Sequence, residues 1–230
     1  MTRRIVALIG VLRRGRRWLR RRGRQLLGTR RLPPADAPKR PLLPSDATKV
    51  HVGAGPVRLD GWANTDLSGK ADYYLDATGH WPATGVTHVF ADNVIEHLTL
   101  DGARAFLREA RAAMTPGGRI RLVTPDAEAS ARAYIDRTPD LEALIVRHRM
   151  NGYAMAHPAD VLRVVFSLNG HHNGYVFDLA SMRAELEAAG FVNVERVPMG
   201  ESSDPELRGI DSRTEPIDDL LLLTVEAERP

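Results

Sequence analysis

Short apolar segments alternate with longer amphipathic ones over most of the chain, a pattern typical of an α/β protein. Seven segments have the length and composition of strands. Five of them follow one another closely, and most end in a glycine or a polar residue: Lys49–Gly53, Trp62–Asp66, Tyr73–Asp76, Val86–Ala91 and Arg119–Thr124. The other two are Val192–Val197 and Leu220–Val225.

Helical patterns lie between these segments. Asp101–Met114 has its apolar residues on one face, and Pro116-Gly117-Gly118 ends the pattern. A strand, a helix and a strand in this order predict a parallel, right-handed crossover. Another helix is expected to begin after Asp178, and residues 127–177 have helical character without a strand. We therefore expect a doubly wound, mostly parallel, seven-stranded sheet with a helical insertion after strand five that caps the substrate.

The charges are distributed unevenly along the chain. The whole sequence has 32 Lys and Arg against 29 Asp and Glu, a formal charge of +3. Residues 1–40 contain 14 basic side chains and one acidic one, a net +13, which leaves −10 on the other 190 residues. The acidic body is therefore not expected to bind nucleic acid through a basic surface.

Residues 1–44 are predicted to form a basic tail and a linker. The apolar run Ile5–Leu12 is far shorter than the roughly 20 residues that span a bilayer, and it lacks a small-residue cleavage site. Its helical spacing leaves two interpretations open, a solvated tail or a helix in peripheral contact with an anionic membrane. Five prolines between Leu32 and Pro44 predict an extended linker, so we expect the domain to span residues 45–230.

The sequence contains no cysteine. This composition excludes disulfide bonds, thiolate metal sites and a cysteine nucleophile. It is also compatible with the cytoplasm, where we expect the protein, with contact of the tail at the inner membrane face as the alternative.

A glycine turn follows the first predicted strand. Gly53 and Gly55 allow the backbone to approach a ligand without an intervening Cβ. Acidic residues end three later strands, at Asp66, Asp76 and Asp92. Because the carboxyl ends of parallel strands share one edge of the sheet, these side chains are expected to line a ligand site.

Together with Glu96-His97-Leu98 and Pro116-Gly117-Gly118, these motifs resemble the class I S-adenosylmethionine-dependent methyltransferases. The resemblance covers about residues 48–126 and, more loosely, Asp178–Phe191. The run from Gly53 to Asp66 is similar to small bacterial methyltransferases associated with sugar and polysaccharide modification. The resemblance implies a Rossmann-like fold and S-adenosylmethionine as the cofactor.

The resemblance also implies roles for individual residues. Gly53 and Gly55 would pack against the methionine and ribose parts of the cofactor, and Asp66 would accept hydrogen bonds from both ribose hydroxyls. Asp76 would accept from the adenine amino group, with the Ala77 backbone as a second adenine contact. The remaining cofactor residues, Asp92 and Asn93, would line the methionine end. A structural alternative stays open for the three aspartates, since Asp commonly caps turns.

The sequence departs from the family pattern near the first strand. His51 and Val57 replace an acidic residue and a glycine. Only eight residues separate Gly53 from Trp62, too few for an ordinary helical crossover, so the first helix should be very short or missing. Arg58 is a candidate for binding the methionine carboxylate of the cofactor.

Methyl transfer to a hydroxyl requires a base, and histidine is suitable near neutral pH. His171 or His172, in the polar loop Asn169–Tyr175, is our first candidate for the base or for a sugar contact. His97 and then Asp126 are the next candidates. His171, His172 and Asp126 could also ligate a metal, but no established metal spacing is present, and we expect none.

These features predict a methyltransferase that acts on a hydroxyl of a carbohydrate or of a glycolipid or polysaccharide precursor. The partner is then a small-molecule or oligosaccharide acceptor. Two alternatives stay open: a nucleic-acid methyltransferase anchored by the Arg-rich tail, which the acidic body disfavours, and a noncatalytic cofactor-binding scaffold at a membrane surface.

Overall fold

The structure is a computed structural model, and it describes residues 40–211 and 220–230. The predicted tail, its amphipathic helix and most of the Pro-rich linker therefore lie outside the described residues. Within the described ranges, no helix combines the length and the apolar character needed to cross a membrane.

A seven-stranded mixed sheet forms the centre of the described fold, in the order β3-β2-β1-β4-β5-β7-β6. Its strands are β1 Lys49–Val52, β2 Ala63–Asp66, β3 Tyr73–Tyr74, β4 Val86–Asp92, β5 Met114–Pro125, β6 Val192–Arg196 and β7 Leu222–Glu228. The first five strands pair in parallel, and β7 is antiparallel to both β5 and β6. The predicted α/β sheet is confirmed, but the insertion of an antiparallel β7 between β5 and β6 departs from a simple Rossmann order.

In the part of the chain that the structure describes, five α-helices accompany the sheet: α1 Leu100–Ala113, α2 Ala127–Asp136, α3 Pro139–Met150, α4 Asp160–Phe166 and α5 Leu179–Ala188. Side chains cap several helix starts. Thr99 accepts the Gly102 N–H at the start of α1, and Asp178 forms a capping box with Ser181 at the start of α5. Helices α2–α4 occupy the stretch between β5 and α5, where the sequence predicts helical character. They enclose a small core of their own around Leu144 and Val161.

Helices α1 and α5 cover one face of the sheet. Residues of β1, β4 and β5 alternate between the two faces, so that every second side chain is directed to the helical side. The core there includes Val50, Val89, Phe106, Ile120 and Met182, none of which has any exposed surface. Complete burial of such side chains contributes about 1.5–3 kcal/mol each.

An irregular segment, residues 198–211, covers much of the other face. Leu207 of this segment packs with Trp62, Phe90 and Val123 of the sheet. None of residues 53–62 is helical, as the short spacing between β1 and β2 predicts. The expectation of a doubly wound sheet must therefore be corrected, because this connection supplies no helix to cover the second face.

A buried charge network attaches the 198–211 segment to the sheet. Arg121 has no exposed surface, and its guanidinium binds the carboxylates of Asp211 and Glu226. It also donates to the Glu201 carbonyl over 2.8 Å. Arg119 provides a second cation 2.8 Å from Glu226. With both carboxylates engaged, the charge of Arg121 is compensated inside the protein.

The last residues of the predicted linker belong to the fold. The Arg40 guanidinium donates to the carbonyls of Asp66, Leu67 and Tyr73 at the edge of the sheet. Leu43 is 2% exposed and is part of the main core. The folded region therefore begins at or before Arg40, several residues ahead of the boundary predicted near Pro44.

Candidate active site at the carboxyl ends of the parallel strands

Gly53 forms a turn directly after β1 that requires glycine for two reasons. Its φ of +67° lies in the left-handed region. A Cβ at this position would come within 2.3 Å of Val94 Cγ2, on the segment after β4. The turn therefore brings the ends of β1 and β4 into direct contact, and the close approach to a ligand that the motif predicts stays a prediction.

Asp66 ends β2 beside this turn. One carboxylate oxygen accepts the Gly55 N–H at 3.0 Å, and the other accepts the Ser68 N–H at 2.6 Å. These two bonds hold the half-buried carboxylate at the ends of β1 and β2. A carboxylate has about four acceptor positions, so it can also accept from a ligand diol. The predicted contact of Asp66 with the ribose hydroxyls stays a prediction with this geometric support.

Asp76 has a local structural role. One of its oxygens accepts both the N–H and the hydroxyl of Thr78, at 3.0 and 2.8 Å. The Ala77 carbonyl accepts the Trp81 indole N–H at 3.1 Å. The turn-capping alternative for Asp76 is therefore observed. The predicted adenine contacts of Asp76 and Ala77 stay predictions.

Asp92 and Asn93 end β4 next to the glycine turn. Asn93 adopts φ +53°, a left-handed conformation that asparagine tolerates better than most residues. Its N–H donates to the Val123 carbonyl of β5 at 2.8 Å. A cavity of about 110 Å³ opens beside Asp92, and it is lined by His51, Gly53, Ala54, Val57, Phe90, Asp92 and Ile210. Asp92 and Asn93 are thus positioned at the shared strand edge, where a ligand could reach them.

The His51 side chain lies in β1, two residues before Gly53, and packs next to the glycine turn. Its Nδ1 lies 3.1 Å from Asn64 Oδ1, and its ring stacks on Phe90. The amide oxygen can only accept, so Nδ1 donates. Burial lowers the pKa of His51, which remains neutral despite the opposing effect of its bond to Asn64. His51 is therefore a packed structural residue, as its position inside a strand predicts.

Arg58 is engaged within the β1–β2 connection. Its guanidinium donates to the Asp72 carboxylate and to the carbonyls of Gly55, Val57 and Lys70. These bonds fix the loop that replaces the missing first helix. The predicted contact of Arg58 with the methionine carboxylate stays a prediction.

A cluster of three side chains lies just beyond β4. Ile95–His97 forms a one-turn 3₁₀ helix, and His171–Asn173 forms a second one. Glu96, His97 and His171 bring one carboxylate oxygen and two ring nitrogens within 4.8 Å of one another. Glu96 and His171 are buried, whereas His97 is exposed. We call this group the Glu96–His97–His171 cluster.

Backbone contacts from two glycines hold the cluster together. Gly174 is pressed against the first 3₁₀ helix so closely that a Cβ would lie 1.7 Å from the Glu96 carbonyl oxygen. Gly170 has φ +96°, and its Cβ position lies 3.6 Å from His97 Nδ1. The glycines that flank the two histidines in the sequence therefore allow the close contact between the two 3₁₀ helices.

The structure separates the other predicted catalytic residues from this cluster. His172 is exposed and contributes no ligand atom to it. Asp126 caps α2 by accepting the Ala129 N–H, and it forms a 3.1 Å ion pair with Arg196. These contacts give Asp126 a local structural role, and its role as the reserve base stays a prediction. The suggested metal group of His171, His172 and Asp126 is likewise not assembled.

Sequence reasoning missed two residues of this region. Glu96 contributed to the family resemblance, but its role in a side-chain cluster depends on a loop more than 70 residues later in the chain. Asn64 binds His51, Leu59, Trp62 and Asp72, and nothing in its local sequence indicates this role. The only available signal for Glu96 was its position beside His97 just after a strand.

Comparisons with known proteins give similar folds only. No family model and no curated protein matches the chain. Among solved structures, a protein from Bordetella parapertussis described as a possible exported protein is similar, with 16% identity, a TM-score of 0.45, and coverage of 85% of this chain and 65% of that one. The S-adenosylmethionine-dependent methyltransferase SibL has 18% identity and a TM-score of 0.46, over 80% of this chain and 51% of its own.

Human N-acetylserotonin methyltransferase in complex with S-adenosylmethionine is also similar, with 11% identity and a TM-score of 0.45, over 79% of this chain and 47% of that one. The chain thus spans about half to two thirds of the length of these three proteins. At such identities and TM-scores, the likeness assigns no activity, and the function must be inferred from the residues of the site.

Proposed function

We propose that this protein is an S-adenosylmethionine-dependent O-methyltransferase that acts on a hydroxyl of a carbohydrate or of a glycolipid or polysaccharide precursor. The observation that carries the proposal is the arrangement of Asp66 and the Gly53–Gly55 turn. A carboxylate at the end of β2 is fixed against the backbone of a close turn at the end of β1. This arrangement suits a ligand that carries a diol. The carboxylate can accept hydrogen bonds from the hydroxyls, and the backbone of the glycine turn can lie close to the ligand.

The proposed reaction is a single displacement. An oxygen lone pair of the acceptor attacks the methyl carbon of the sulfonium, the C–S electron pair moves to sulfur, and the acceptor hydroxyl loses its proton. The products are a methyl ether, S-adenosylhomocysteine and a proton. The main task of the protein is to hold the acceptor oxygen in line with the methyl group at about 3 Å.

We place the acceptor side of the site at the Glu96–His97–His171 cluster. This cluster follows directly after Asp92, Asn93 and Val94, and Val94 touches the Gly53 turn. Val165 O lies 2.8 Å from His171 Nδ1, which therefore donates and leaves Nε2 with a lone pair. His97 is exposed and can meet an entering acceptor. These two histidines are better candidates for the proton acceptor than His172 or Asp126.

Aromatic and amide groups near the cluster support a carbohydrate acceptor. Tyr175 is 37% exposed, and its N–H donates to the Leu98 carbonyl next to the cluster. The Asn169 amide donates to the Tyr153 hydroxyl at 2.7 Å. Sugars are recognised by stacking on aromatic rings and by planar hydrogen-bonding groups, and this loop offers both. The net negative charge of the body is unfavourable for a nucleic-acid acceptor.

Calorimetric titration with S-adenosylhomocysteine tests the cofactor part of the proposal. Asp66→Ala should weaken binding by roughly 10- to 150-fold, because hydrogen bonds to a charged acceptor contribute about 1.5–3 kcal/mol. Asp101→Ala is the matched control, since Asp101 lies on the exposed side of α1 with a side chain 96% accessible. Equal affinity of the parent and of a folded Asp66→Ala variant would refute the assignment. Mass spectrometry of candidate sugar acceptors, with and without enzyme, then tests the substrate class.

A further inference from the structure

The donor atoms of the Glu96–His97–His171 cluster match a metal-binding set. We infer that these three side chains bind a divalent transition-metal ion of the zinc type. Two imidazole nitrogens and one carboxylate oxygen, within 4.8 Å of one another, are ligands that such ions prefer.

The ligand positions require only a small adjustment to bind an ion. Zinc binds nitrogen and carboxylate oxygen at about 2.0–2.2 Å. To reach this distance from one central ion, each of the three ligand atoms must move inward by about 1 Å. Glu96 and His171 are buried and fixed by their neighbours, whereas the exposed His97 ring can rotate towards them. The cluster therefore combines two preset ligands with one adjustable ligand.

Further contacts prepare the two buried ligands. His171 Nδ1 donates to the Val165 carbonyl at 2.8 Å, which directs the Nε2 lone pair to the cluster. The Thr124 hydroxyl donates to Glu96 Oε2 at 3.2 Å and orients the carboxylate. Protein metal sites commonly use such partners, which fix the tautomer of a histidine ligand and the rotation of a carboxylate.

Burial keeps the Glu96 carboxylate in place, because its side chain has no exposed surface and cannot turn away from the two imidazoles into solvent. The close contact of Gly170 and Gly174 with the first 3₁₀ helix keeps the two halves of the site together.

The role of the ion in the reaction rests on the proposed function. Three protein ligands leave coordination positions open. Two neighbouring oxygens of a diol acceptor would fill these positions, and the ion would make the bound hydroxyl more acidic, so that its proton leaves to water. In the ion-bound protein, the imidazole lone pairs therefore act through the metal and not as a direct base.

Zinc titration of the full chain tests the site without any activity assay. The protein is stripped with a chelator, dialysed and titrated with Zn²⁺ by calorimetry, with the visible absorption of bound Co²⁺ as a second readout of the ligand set. We expect one ion per chain. Thr124→Val, which keeps the side-chain shape, should weaken binding by about 10- to 100-fold. His171→Ala and His97→Ala each remove a ligand and should weaken Zn²⁺ binding more than Thr124→Val does.

His172→Ala is the matched control, because His172 is the next residue on the same 3₁₀ helix and lies outside the cluster. It should bind Zn²⁺ as the parent does. Absence of zinc binding to the parent, or an equal loss in His172→Ala and His171→Ala, would overturn the inference. Because His97 is exposed, its variant should fold even if the variant at buried His171 does not. S-adenosylhomocysteine affinity, measured on the same samples, reports separately on the proposed function.

Discussion

The buried Asn64 side chain forms hydrogen bonds that hold the short β1–β2 connection in place, where related folds would have a helix. Its amide oxygen accepts from His51 and from the Leu59 N–H, while its amide nitrogen donates to the carbonyls of Leu59 and Trp62 and to Asp72. A helical crossover would satisfy backbone groups internally, but the short β1–β2 connection relies on this side chain. The connection that carries the glycine turn is therefore held by Asn64 together with His51.

The neutral state of His51 makes stability depend on pH. Burial lowers the pKa of His51 in the folded protein from its ordinary value of about 6.5, and the same effect lowers the pKa of buried His148. Below about pH 6.5 the unfolded chain therefore binds protons that the folded chain excludes. The contribution of these histidines to the free energy of unfolding should be fully present above this pH. It should decrease as the pH drops towards 5, by at most about 1.4 kcal/mol per pH unit for each histidine.

Urea unfolding at several pH values between 5 and 7.5 measures this dependence. His51→Asn keeps a donor for Asn64 but cannot titrate, so its curve should be shallower than that of the parent. The contribution of His148 should remain in the variant. Identical slopes for the parent and His51→Asn would show that His51 is not the source.

The features that both the sequence and the structure indicate are those that depend on local geometry. The glycine turn at position 53 and the packing of His51 follow from their positions around a strand end, whereas the cofactor contacts of Gly53 stay a prediction. The choice between His171 and His172 could not be predicted. It depends on which imidazole the loop directs towards Val165 and His97, and that direction is set by contacts distant in sequence.

At the scale of elements, strand positions were predicted more reliably than strand lengths. β1 and β2 agree with their predicted spans to within a residue. β5 begins at Met114 and not at Arg119, because Met114 pairs with Val86 ahead of an irregularity in the ladder. β7 extends to Glu228 because it pairs with both β5 and β6. Strand ends are determined by partners, which the local apolar pattern does not specify.

The 169–174 loop and the first 3₁₀ helix form one packed unit, which can be tested through Gly174. A Cβ at this position would lie 1.7 Å from the Glu96 carbonyl oxygen, so Gly174→Ala must displace backbone. We expect a loss of about 1–3 kcal/mol in the free energy of unfolding, which is typical of overpacking, together with weaker Zn²⁺ binding. Thermal and urea unfolding provide the measurement.

Gly79→Ala is the control for this prediction. A Cβ at Gly79 would have its nearest contact at 3.5 Å, an ordinary packing distance, and Gly79 does not adopt a positive φ. This variant should change stability by no more than about 0.5 kcal/mol. A similar small effect in Gly174→Ala would mean that the loop does not pack as described.

At the scale of the whole molecule, the two faces of the sheet are covered by different means. The helical face is covered by apolar residues of α1 and α5, and the helical spacing of these residues is visible in the sequence. The other face is covered by residues 198–211, which have no regular period and are attached through Arg121, Asp211 and Glu226. Such a segment cannot be predicted from apolar patterning, because its attachment consists of charged groups that ordinarily indicate exposed surface.

The start of the folded region can be located by comparing two deletions. Removal of residues 1–39 takes away the Arg-rich tail and most of the Pro-rich linker, and we expect the melting temperature and S-adenosylhomocysteine affinity to stay close to those of the full chain. Removal of residues 1–44 also takes away the three hydrogen bonds of Arg40 and the buried side chain of Leu43. Burial of one leucine contributes about 1.5–3 kcal/mol, so the longer deletion should lower the unfolding free energy by at least this amount.

Leu43→Ala in the full chain is the control for the second deletion. This substitution should lower the free energy of unfolding by about 2–5 kcal/mol, the usual range for a buried leucine, because Leu43 is only 2% exposed and fills part of the core. Equal stability of the two truncated proteins would place the boundary at Pro44, as the proline pattern alone predicts. A large loss on removal of residues 1–39 would instead show that the fold needs part of the tail. Only a stable shorter truncation combined with a destabilised longer one agrees with a fold that begins near Arg40.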